Sequence, residues 1–332
     1  MKRPTRKRGT KLSAARAFPL TALVVLLLAL NGCRGLEGEA GGVPAGENSA
    51  DARLPSPLPA PQEVALEKVS RGEAADALAL VKGYNARDVG SPGWRRVSLE
   101  LIDGAEVTRA FTVVNLWDGE GESLRTLFHL EAPAGLKGTS YLLSEEASGA
   151  PAEDVRIHLF LPAGERRVLE IVPSDFDDGL LGSDFAYRDV RARLPVEGYD
   201  YRLLGQGVLA GQRVWVLETR PAARATRETT AWGSARLFLA RDIPFLLGAD
   251  YFGAGEPAAG APRPLKRMRV EGFRQEDGVW TATRMVMYRG ATAASVLTLK
   301  QARFHGKKID PAALTPPALP SAAEHLKHLS VE

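Results

Sequence analysis

The sequence predicts a mainly β protein whose strands form a curled, incompletely closed antiparallel β-barrel with a few helices at its mouth. Between Trp94 and Phe304, apolar residues recur at every second position, which is typical of strands with one buried face. About eleven such segments follow one another, separated by short turns such as Ala210-Gly211 and Asp277-Gly278. Strands joined by tight turns pair antiparallel, and an open sheet of this width tends to curl so that its apolar face encloses a space.

Within each segment, the alternation assigns the apolar side chains to one side of the sheet. In "WRRVSLELID", Val97, Leu99 and Leu101 share one side, and in "DVRIHLFLP" the polar His158 falls opposite the apolar residues. The enclosed space is therefore a candidate site for an apolar ligand, with a plain filled core as the alternative. The expected lining residues are Leu99, Leu101, Phe111, Val113, Phe128, Leu130, Ile157, Leu159 and Met287.

Two regions outside the strands differ from this pattern. Residues 63–84 predict a helix with a break at Gly72. Residues after Pro311 are not strand-like, and the last dozen predict either a short helix or a loose end. The apolar residues that fall near one face of the predicted helix are Leu66, Val69, Ala77, Leu80 and Tyr84.

The N-terminus has the three parts of a lipoprotein export signal. Residues 1–16 carry seven Lys or Arg and no acid, and residues 17–30 form an apolar run that is short for a membrane span. The run ends in Leu30-Asn31-Gly32-Cys33, which resembles the bacterial lipobox. This pattern predicts a signal peptide over residues 1–32 and acylation of Cys33. An ordinary secretory signal followed by a stray buried cysteine is the alternative.

Residues 33–62 predict a flexible tether between the lipid and a domain that covers residues 63–332. The segment is rich in Gly, Ala and Pro and contains no aromatic residue, so it cannot bury enough apolar surface to fold. Two or three acyl chains on Cys33 would hold the protein firmly on a membrane. In enteric bacteria, an aspartate directly after the lipidated cysteine favours retention in the inner membrane. Because Arg34 stands at this position, resemblance to that rule favours the outer membrane of the bacterial envelope, with the domain facing the periplasm.

Charge and composition exclude several classes of function. Cleavage after residue 32 removes seven of the 43 basic residues and none of the 40 acidic ones, which leaves a net charge of −4 and no electrostatic case for nucleic-acid binding. Cys33 is the only cysteine, so no internal disulfide forms. HExxH, CxxC, Walker A and GxSxG motifs are absent. The sequence therefore predicts no enzyme, no catalytic residue, no metal and no cofactor.

The stretch "DDGLLGSDFAYRDV", residues 177–190, could be a catalytic loop, a metal loop or a structural latch. Together with "FHLEAPAGLKGTSYLL" at residues 128–143 and "IHLFLPAGERRVLEIVPS" at residues 157–174, it resembles the signature of the outer-membrane lipoprotein-sorting protein family. This family includes relatives of the periplasmic carrier and the outer-membrane receptor of the Lol system. The resemblance covers about residues 95–320, and its most specific part is Gly182-Ser183-Asp184-Phe185 with Tyr187.

The resemblance implies a half-closed antiparallel barrel with helices at its mouth and an apolar cavity that binds acyl chains without chemistry. It makes residues 177–190 a latch loop beside the cavity, with catalysis as the alternative. Gly182 supplies a backbone conformation that other residues avoid, and Ser183 or Asp184 caps a short helix, "DFAYRDV". Phe185 and Tyr187 pack onto the barrel edge. The departures from the family pattern are Leu180, Arg188-Asp189, "DGEGES" after Trp117, and the insertion-like residues 246–264.

Three functional hypotheses follow from this resemblance. The first is a lipid-anchored carrier or acceptor that binds acyl chains of lipoproteins or other lipids and sorts them to the outer membrane. Its partners would be those lipids, the membrane through Cys33, and a transporter or carrier protein. The second is a sensor of lipid or protein that regulates a membrane partner, and the third is an accessory to an exporter. The sequence does not select the ligand among lipoproteins, phospholipids and polycyclic lipids.

Overall fold

A computed structural model describes residues 58–69, 76–119, 123–145, 155–163, 166–222, 224–228, 230–254 and 263–327. All of them belong to one compact unit, Asp51–Glu332. The predicted signal peptide, Cys33 and residues 33–57 of the predicted tether lie outside the described residues. No helix within the described ranges is both long enough and apolar enough to cross a membrane.

The predicted fold class is confirmed, because the chain forms one antiparallel sheet that does not close into a barrel. The sheet has thirteen strands rather than about eleven. The strands are β1 (Gly93–Asp103), β2 (Glu106–Asp118), β3 (Leu124–Ala132), β4 (Ser140–Glu145), β5 (Val155–Phe160), β6 (Val168–Ile171), β7 (Tyr199–Leu209), β8 (Gln212–Pro221), β9 (Ser234–Ala240), β10 (Leu246–Phe252), β11 (Lys266–Glu276), β12 (Val279–Arg289) and β13 (Thr292–Arg303).

The two additional strands are β4 and β10, and both are buried on both faces. Five of the six residues of β4 and six of the seven residues of β10 are buried. A strand covered on both sides has no alternation of apolar and polar residues, so its pattern does not identify it. Strand β10 begins the segment that the sequence marks as an insertion, and it is instead a central strand between β9 and β11.

The strand order is β6-β5-β4-β3-β2-β1-β13-β12-β11-β10-β9-β8-β7. Pairing of β1 with β13 joins the two ends of the β region, and the open edges are β6 and β7. Phe128 on β3 and Leu237 on β9 belong to one apolar cluster although many strands separate them, so the sheet is curled. We call the side that holds this cluster the inner face and the other side the outer face. The chain between β6 and β7 runs from one open edge to the other.

The helices are short. They are α1 (Ala77–Asn85), α2 (Arg224–Glu228) and α3 (Ala322–Leu326), with 3-10 turns at Ala134–Leu136, Pro173–Asp175, Leu180–Gly182, Tyr187–Val190, Pro311–Leu314 and Pro316–Ser321. Asp76 caps the N-terminus of helix α1, and its carboxylate accepts a hydrogen bond from the Leu78 amide at 3.0 Å. It buries Ala77 and Val81 against the inner cluster.

The prediction of one helix over residues 63–84 is wrong in its first part. Residues 63–69 are not helical, Leu66 is exposed, and the backbone of Glu67 exchanges hydrogen bonds of 2.8 and 2.9 Å with Gln206 on the edge strand β7. This backbone passes so close to β7 that a Cβ at Gly205 would lie 2.4 Å from the Glu67 carbonyl oxygen. Tertiary pairing with an open strand edge thus overrides the helical spacing.

Two terminal segments cover the outer face. Residues 58–69, the N-terminal strap, cross the half that contains β7–β13, where Gln62, expected in the tether, accepts from Arg269 at 3.0 Å. Residues 311–326, the C-terminal strap, cover β2–β6, and Leu319 is 1% exposed in that contact. Both straps leave the inner face to other elements.

Candidate functional site

The inner face contains a partly enclosed cavity with a volume of about 230 Å³. Its floor is formed by strands β1, β2, β3, β11, β12 and β13, and its rim by the end of α1 and by residues 189–192. Most of the lining is apolar. The apolar residues of the floor are Val97, Leu99, Val113, Trp117, Leu124, Phe128, Met268, Val270, Val279, Trp280, Ala282, Met285, Leu297 and Leu299.

Three of the nine predicted lining residues, Leu99, Val113 and Phe128, border this cavity. Ile157 borders a separate small void of about 10 Å³, which Phe128 also lines. The other five predicted residues do not border either space and instead pack in or against the inner cluster. They are Leu101, Phe111, Leu130, Leu159 and Met287.

The physical reason is that other side chains fill part of the curl. Phe176 and Phe185 from the connection between β6 and β7, and Val81 from α1, are each at most 1% exposed and belong to the inner cluster. Strand alternation identifies which residues point inward but not which loop enters the space they enclose. Half-buried Val97, Leu297 and Met285 are cavity residues that the prediction missed, although each follows the same alternation.

The latch loop, residues 177–190, lies inside this curl. It folds back on itself through a bridge between Gly179 and Ala186, and the Leu180 amide donates to the Phe185 carbonyl at 2.7 Å. Gly182 has φ = +76°, the left-handed conformation that was predicted for it. A Cβ at Gly179 would lie 2.0 Å from the Ser183 carbonyl oxygen, so the tight reversal also requires glycine there.

Ionic and polar contacts fix the latch loop to the sheet. Asp189 accepts from the Ala186 amide at 2.8 Å, from the Tyr251 hydroxyl at 2.7 Å and from Lys266 at 2.6 Å. Asp184 accepts from Arg289 and from the Ser295 hydroxyl, the latter at 3.2 Å. The loop is therefore attached to β10–β13.

These contacts correct the predicted roles of the loop. The helical turn is a 3-10 turn that begins at Tyr187, and its first residues are held by the Asp189 carboxylate rather than by Ser183 or Asp184. Phe185 is 0% exposed within the inner cluster, not on an edge. Tyr187 packs against Tyr141 of β4 with ring centroids 5.7 Å apart. Among the described residues, the Ser183 hydroxyl bonds only the backbone of Phe185.

The latch loop separates the cavity from the small void. Leu180 and Val190 line both spaces, and Tyr187 lines the void. On the far side of the void are Tyr141, Leu143 and Ile157 of β4 and β5. Displacement of the loop would therefore join the cavity to the apolar surface of β3–β5.

The rim beside α1 is closed by a polar clip. The Asn85 side chain donates to the Leu194 carbonyl at 2.8 Å and accepts from the Leu194 amide at 2.9 Å. Arg87 donates to the Ala192 carbonyl at 2.6 Å and lies over the Tyr84 ring. These bonds join α1 to the chain that follows the latch loop.

One charged side chain, Arg95, lies on the cavity floor. It is in phase with Val97 and Leu99 on β1, which is the signal that could have identified it in the sequence. Burial lowers the pKa of its guanidinium to about 10, which leaves it cationic at neutral pH. The Asn115 amide oxygen, turned toward Arg95, accepts from Nη2 at 3.3 Å and from Nε at 3.2 Å.

Where the chain is described, no group of three or more His, Cys, Asp and Glu residues is arranged to hold a metal ion. Burial raises the pKa of the phenols of Tyr141 and Tyr187, which keeps both neutral where they face the small void. The cavity therefore combines a largely apolar floor that carries Arg95, a neutral apolar partition, and a rim that carries Arg87, Asp88, Asp189 and Arg191.

Solved structures with this fold include a domain described as an outer membrane lipoprotein-sorting protein domain from Vibrio parahaemolyticus. It matches with a TM-score of 0.61 and 23% identity, over 74% of this chain and 98% of that one. A DUF1329 family protein from Desulfovibrio piger has the same TM-score of 0.61 and 23% identity, over 74% and 100% of the two chains. A LolA superfamily protein from Nitrosomonas europaea has a TM-score of 0.51 and 18% identity, over 73% and 98%. No curated protein sequence matches this chain.

The architecture is thus that of the lipoprotein-sorting and LolA superfamily proteins, and the predicted resemblance is confirmed for the fold. A family model described as "-like: Uncharacterized protein" matches residues 122–319, more than half of the chain. The chain belongs to that family.

Proposed function

We propose that this protein is a lipid-anchored protein of the bacterial envelope whose inner cavity binds acyl chains of lipoproteins or other lipids. It would pass them toward the outer membrane, to which acylated Cys33 would attach it. The observation that carries this proposal is the cavity of about 230 Å³ on a largely apolar inner face that its own side chains leave incompletely filled. Protein interiors are normally close-packed, so an unfilled apolar space indicates a ligand.

The size of the cavity limits what it can hold in this conformation. Pockets for drug-sized ligands measure roughly 300–1,000 Å³, so about 230 Å³ corresponds to one alkyl chain rather than two or three. A lipid with several chains would need the latch loop to move and to join the cavity to the surface of β3–β5. The ion pair of Asp189 with Lys266 and the packing of Tyr187 on Tyr141 would resist that movement.

Transfer by such a cavity needs no chemical step at this protein. A lipid moves from a donor to this cavity only if its affinity is higher here, because each cavity hides a similar apolar area from water. The energy of holding the latch loop closed sets part of that affinity. A docked transporter or carrier protein that displaces the loop would therefore control uptake and release.

The proposal is tested by extracting lipids from the full-length protein purified from envelopes and identifying them by mass spectrometry. The comparison is between the wild type and Val97→Phe, which places a ring in the cavity. Val107→Phe is the matched control, because Val107 is also half-buried, on the neighbouring strand β2, and does not line the cavity.

We expect acyl lipids in stoichiometric amounts with the wild type and with Val107→Phe, and several-fold less with Val97→Phe at equal folding. Extracts without lipid from a folded wild-type protein would overturn the proposal and would favour a module that senses or regulates a protein partner. Equal lipid in all three samples would show that the lipid is held outside the cavity.

A further inference from the structure

Arg95 is half-buried and differs from the most deeply buried arginines by having no carboxylate partner. Among the described residues, no Asp or Glu forms an ion pair with it. Two carboxylates also border the cavity: Asp88, which is more than half exposed and pairs with His305 at 3.1 Å, and Asp189, which pairs with Lys266 at 2.6 Å. The buried arginines elsewhere are paired, as in Arg188–Asp177 at 3.0 Å, Arg191–Glu145 at 3.3 Å and Arg269–Asp250 at 2.7 Å.

The hydrogen-bonding capacity of Arg95 is also incompletely used. A guanidinium has five N–H donors, and Asn115 accepts two of them. Trp117 adds a face contact, with Cζ of Arg95 5.6 Å from the ring centroid. The remaining donors have no protein acceptor in the described part of the chain, and Arg95 borders the cavity.

A half-buried cation on an apolar floor without a counter-charge is unfavourable, because it loses part of its hydration and gains no ionic partner. A packed apolar residue would be more stable at this position. The neighbours also support the guanidinium without neutralising it, since Asn115 is a neutral acceptor directly opposite Arg95 in the β1–β2 register. This arrangement matches a cation that is oriented for an anion entering from the cavity.

We propose that Arg95 binds the oxyanion of a single-chain lipid, a carboxylate or a phosphate monoester, while the alkyl chain lies along Val97, Leu99 and Leu297. This inference rests on the proposed function and specifies its ligand. The free N–H donors of the guanidinium suit the two oxygens of such a group, and the cavity has room for one chain. Neutral lipids would bind with the same chain contacts and without the ionic contact.

The test is calorimetric titration of the full chain carrying Cys33→Ala, stripped of lipid, with decanoate, decyl phosphate, decanol and inorganic phosphate. The variants are Arg95→Met and Asn115→Asp, which places a carboxylate where the anion would bind. Arg96→Met is the matched control, because Arg96 is the next residue, points to the other face and pairs with Glu131 at 2.8 Å. Thermal unfolding of each variant checks that it is folded.

We expect decanoate or decyl phosphate to bind at least about tenfold more tightly than decanol. Arg95→Met should weaken the anionic ligands by roughly 10- to 100-fold and change decanol less than about threefold. Asn115→Asp should have the same selective effect, and Arg96→Met should have none.

Each contrary result has a separate meaning. Equal affinity for decanoate and decanol, unchanged by Arg95→Met, would overturn this inference and leave the proposed function intact. Binding of no ten-carbon ligand would overturn both. Inorganic phosphate binding as tightly as decyl phosphate, with loss in Arg95→Met, would replace the lipid with a free anion and would also overturn the inference.

Discussion

The inner and outer faces of the same sheet are filled in different ways. On the outer face of β2–β5, Leu127 and Leu142 are at most 1% exposed beneath the C-terminal strap. On the inner face, half-buried Val97 and Leu297 border a cavity of about 230 Å³. Both faces are apolar, so apolar patterning alone does not separate a core from a binding site. What separates them is whether another part of the chain completes the packing.

Replacing one leucine on each face should give the largest contrast. Leu127→Ala should lower the free energy of unfolding by about 2–5 kcal/mol, because a well-packed site leaves a cavity that cannot collapse. Leu297→Ala enlarges a space that already exists and should cost about 1 kcal/mol or less. Chemical denaturation of the lipid-free proteins measures both values. Equal losses would mean that the inner face is packed as a core.

Weakening the latch loop should have the next largest effect. Asp189→Asn keeps the size of the side chain, but it removes the negative charge that pairs with Lys266 and replaces one acceptor oxygen of Asp189 with an amide nitrogen. This change should lower the free energy of unfolding by about 1.5–3 kcal/mol. Amide hydrogen exchange should become faster in residues 180–190 and remain unchanged in the strands beneath the C-terminal strap. Exposed Asp200 provides the control substitution, Asp200→Asn. Unchanged exchange in the loop would show that Asp189 does not hold it closed.

Enlarging a valine on each face tests the same comparison in the opposite direction. Val114→Phe on the outer face should cost about 1–3 kcal/mol, because the extra ring does not fit under the C-terminal strap. Val97→Phe should change the free energy of unfolding by less than about 1 kcal/mol, because the ring enters the cavity. Thermal unfolding of lipid-free protein distinguishes them, and a larger loss for Val97→Phe would contradict the account.

The smallest expected effect is on the pH dependence of stability, and it involves a histidine on the outer face. His129 is 4% exposed and its Nδ1 lies 2.9 Å from the Ser140 hydroxyl. Burial lowers its pKa below 6.5, a shift that Lys137 increases and Glu131 opposes. The unfolded chain therefore binds more protons, so stability is fully present above pH 6.5 and falls as the pH decreases toward the folded-state pKa.

His129→Asn should flatten the decrease in stability between pH 7 and 5, measured as the urea midpoint at each pH. An identical decrease in the wild type and in His129→Asn would show that this ring is not the group responsible.

Much of the fold could be predicted from strand alternation, because eleven of the strands have one face that differs in polarity from the other. Strands β4 and β10 could not, since both of their faces are buried. The path of the N-terminal strap could not be predicted either, because its helical spacing is overridden by pairing of Glu67 with Gln206. The straps and the latch loop are irregular segments whose positions depend on which surfaces the curled sheet leaves open.

The candidate site was predictable in its character but not in its extent. Leu99, Val113 and Phe128 border the cavity, whereas Leu130 and Met287 follow the same alternation and are covered by packing. Arg95 was visible as a cation in an inward phase, yet a strand pattern does not show whether such a residue has a partner. The conformation of Gly182 followed from its sequence context, while the role of Asp189 in the latch loop required the tertiary contacts.

The most direct test of a ligand-accepting inner face uses tryptophans on the two faces of the sheet, in strands β1, β2 and β12. Trp117 and Trp280 border the cavity, whereas Trp94 lies in the outer cluster. The measurement is fluorine NMR of the full chain carrying Cys33→Ala, labelled with 5-fluorotryptophan, stripped of lipid and titrated with decanoate. We expect the resonances of Trp117 and Trp280 to shift to saturation while that of Trp94 stays in place. No shift, or an equal shift at Trp94, would contradict the claim that the inner face holds the ligand.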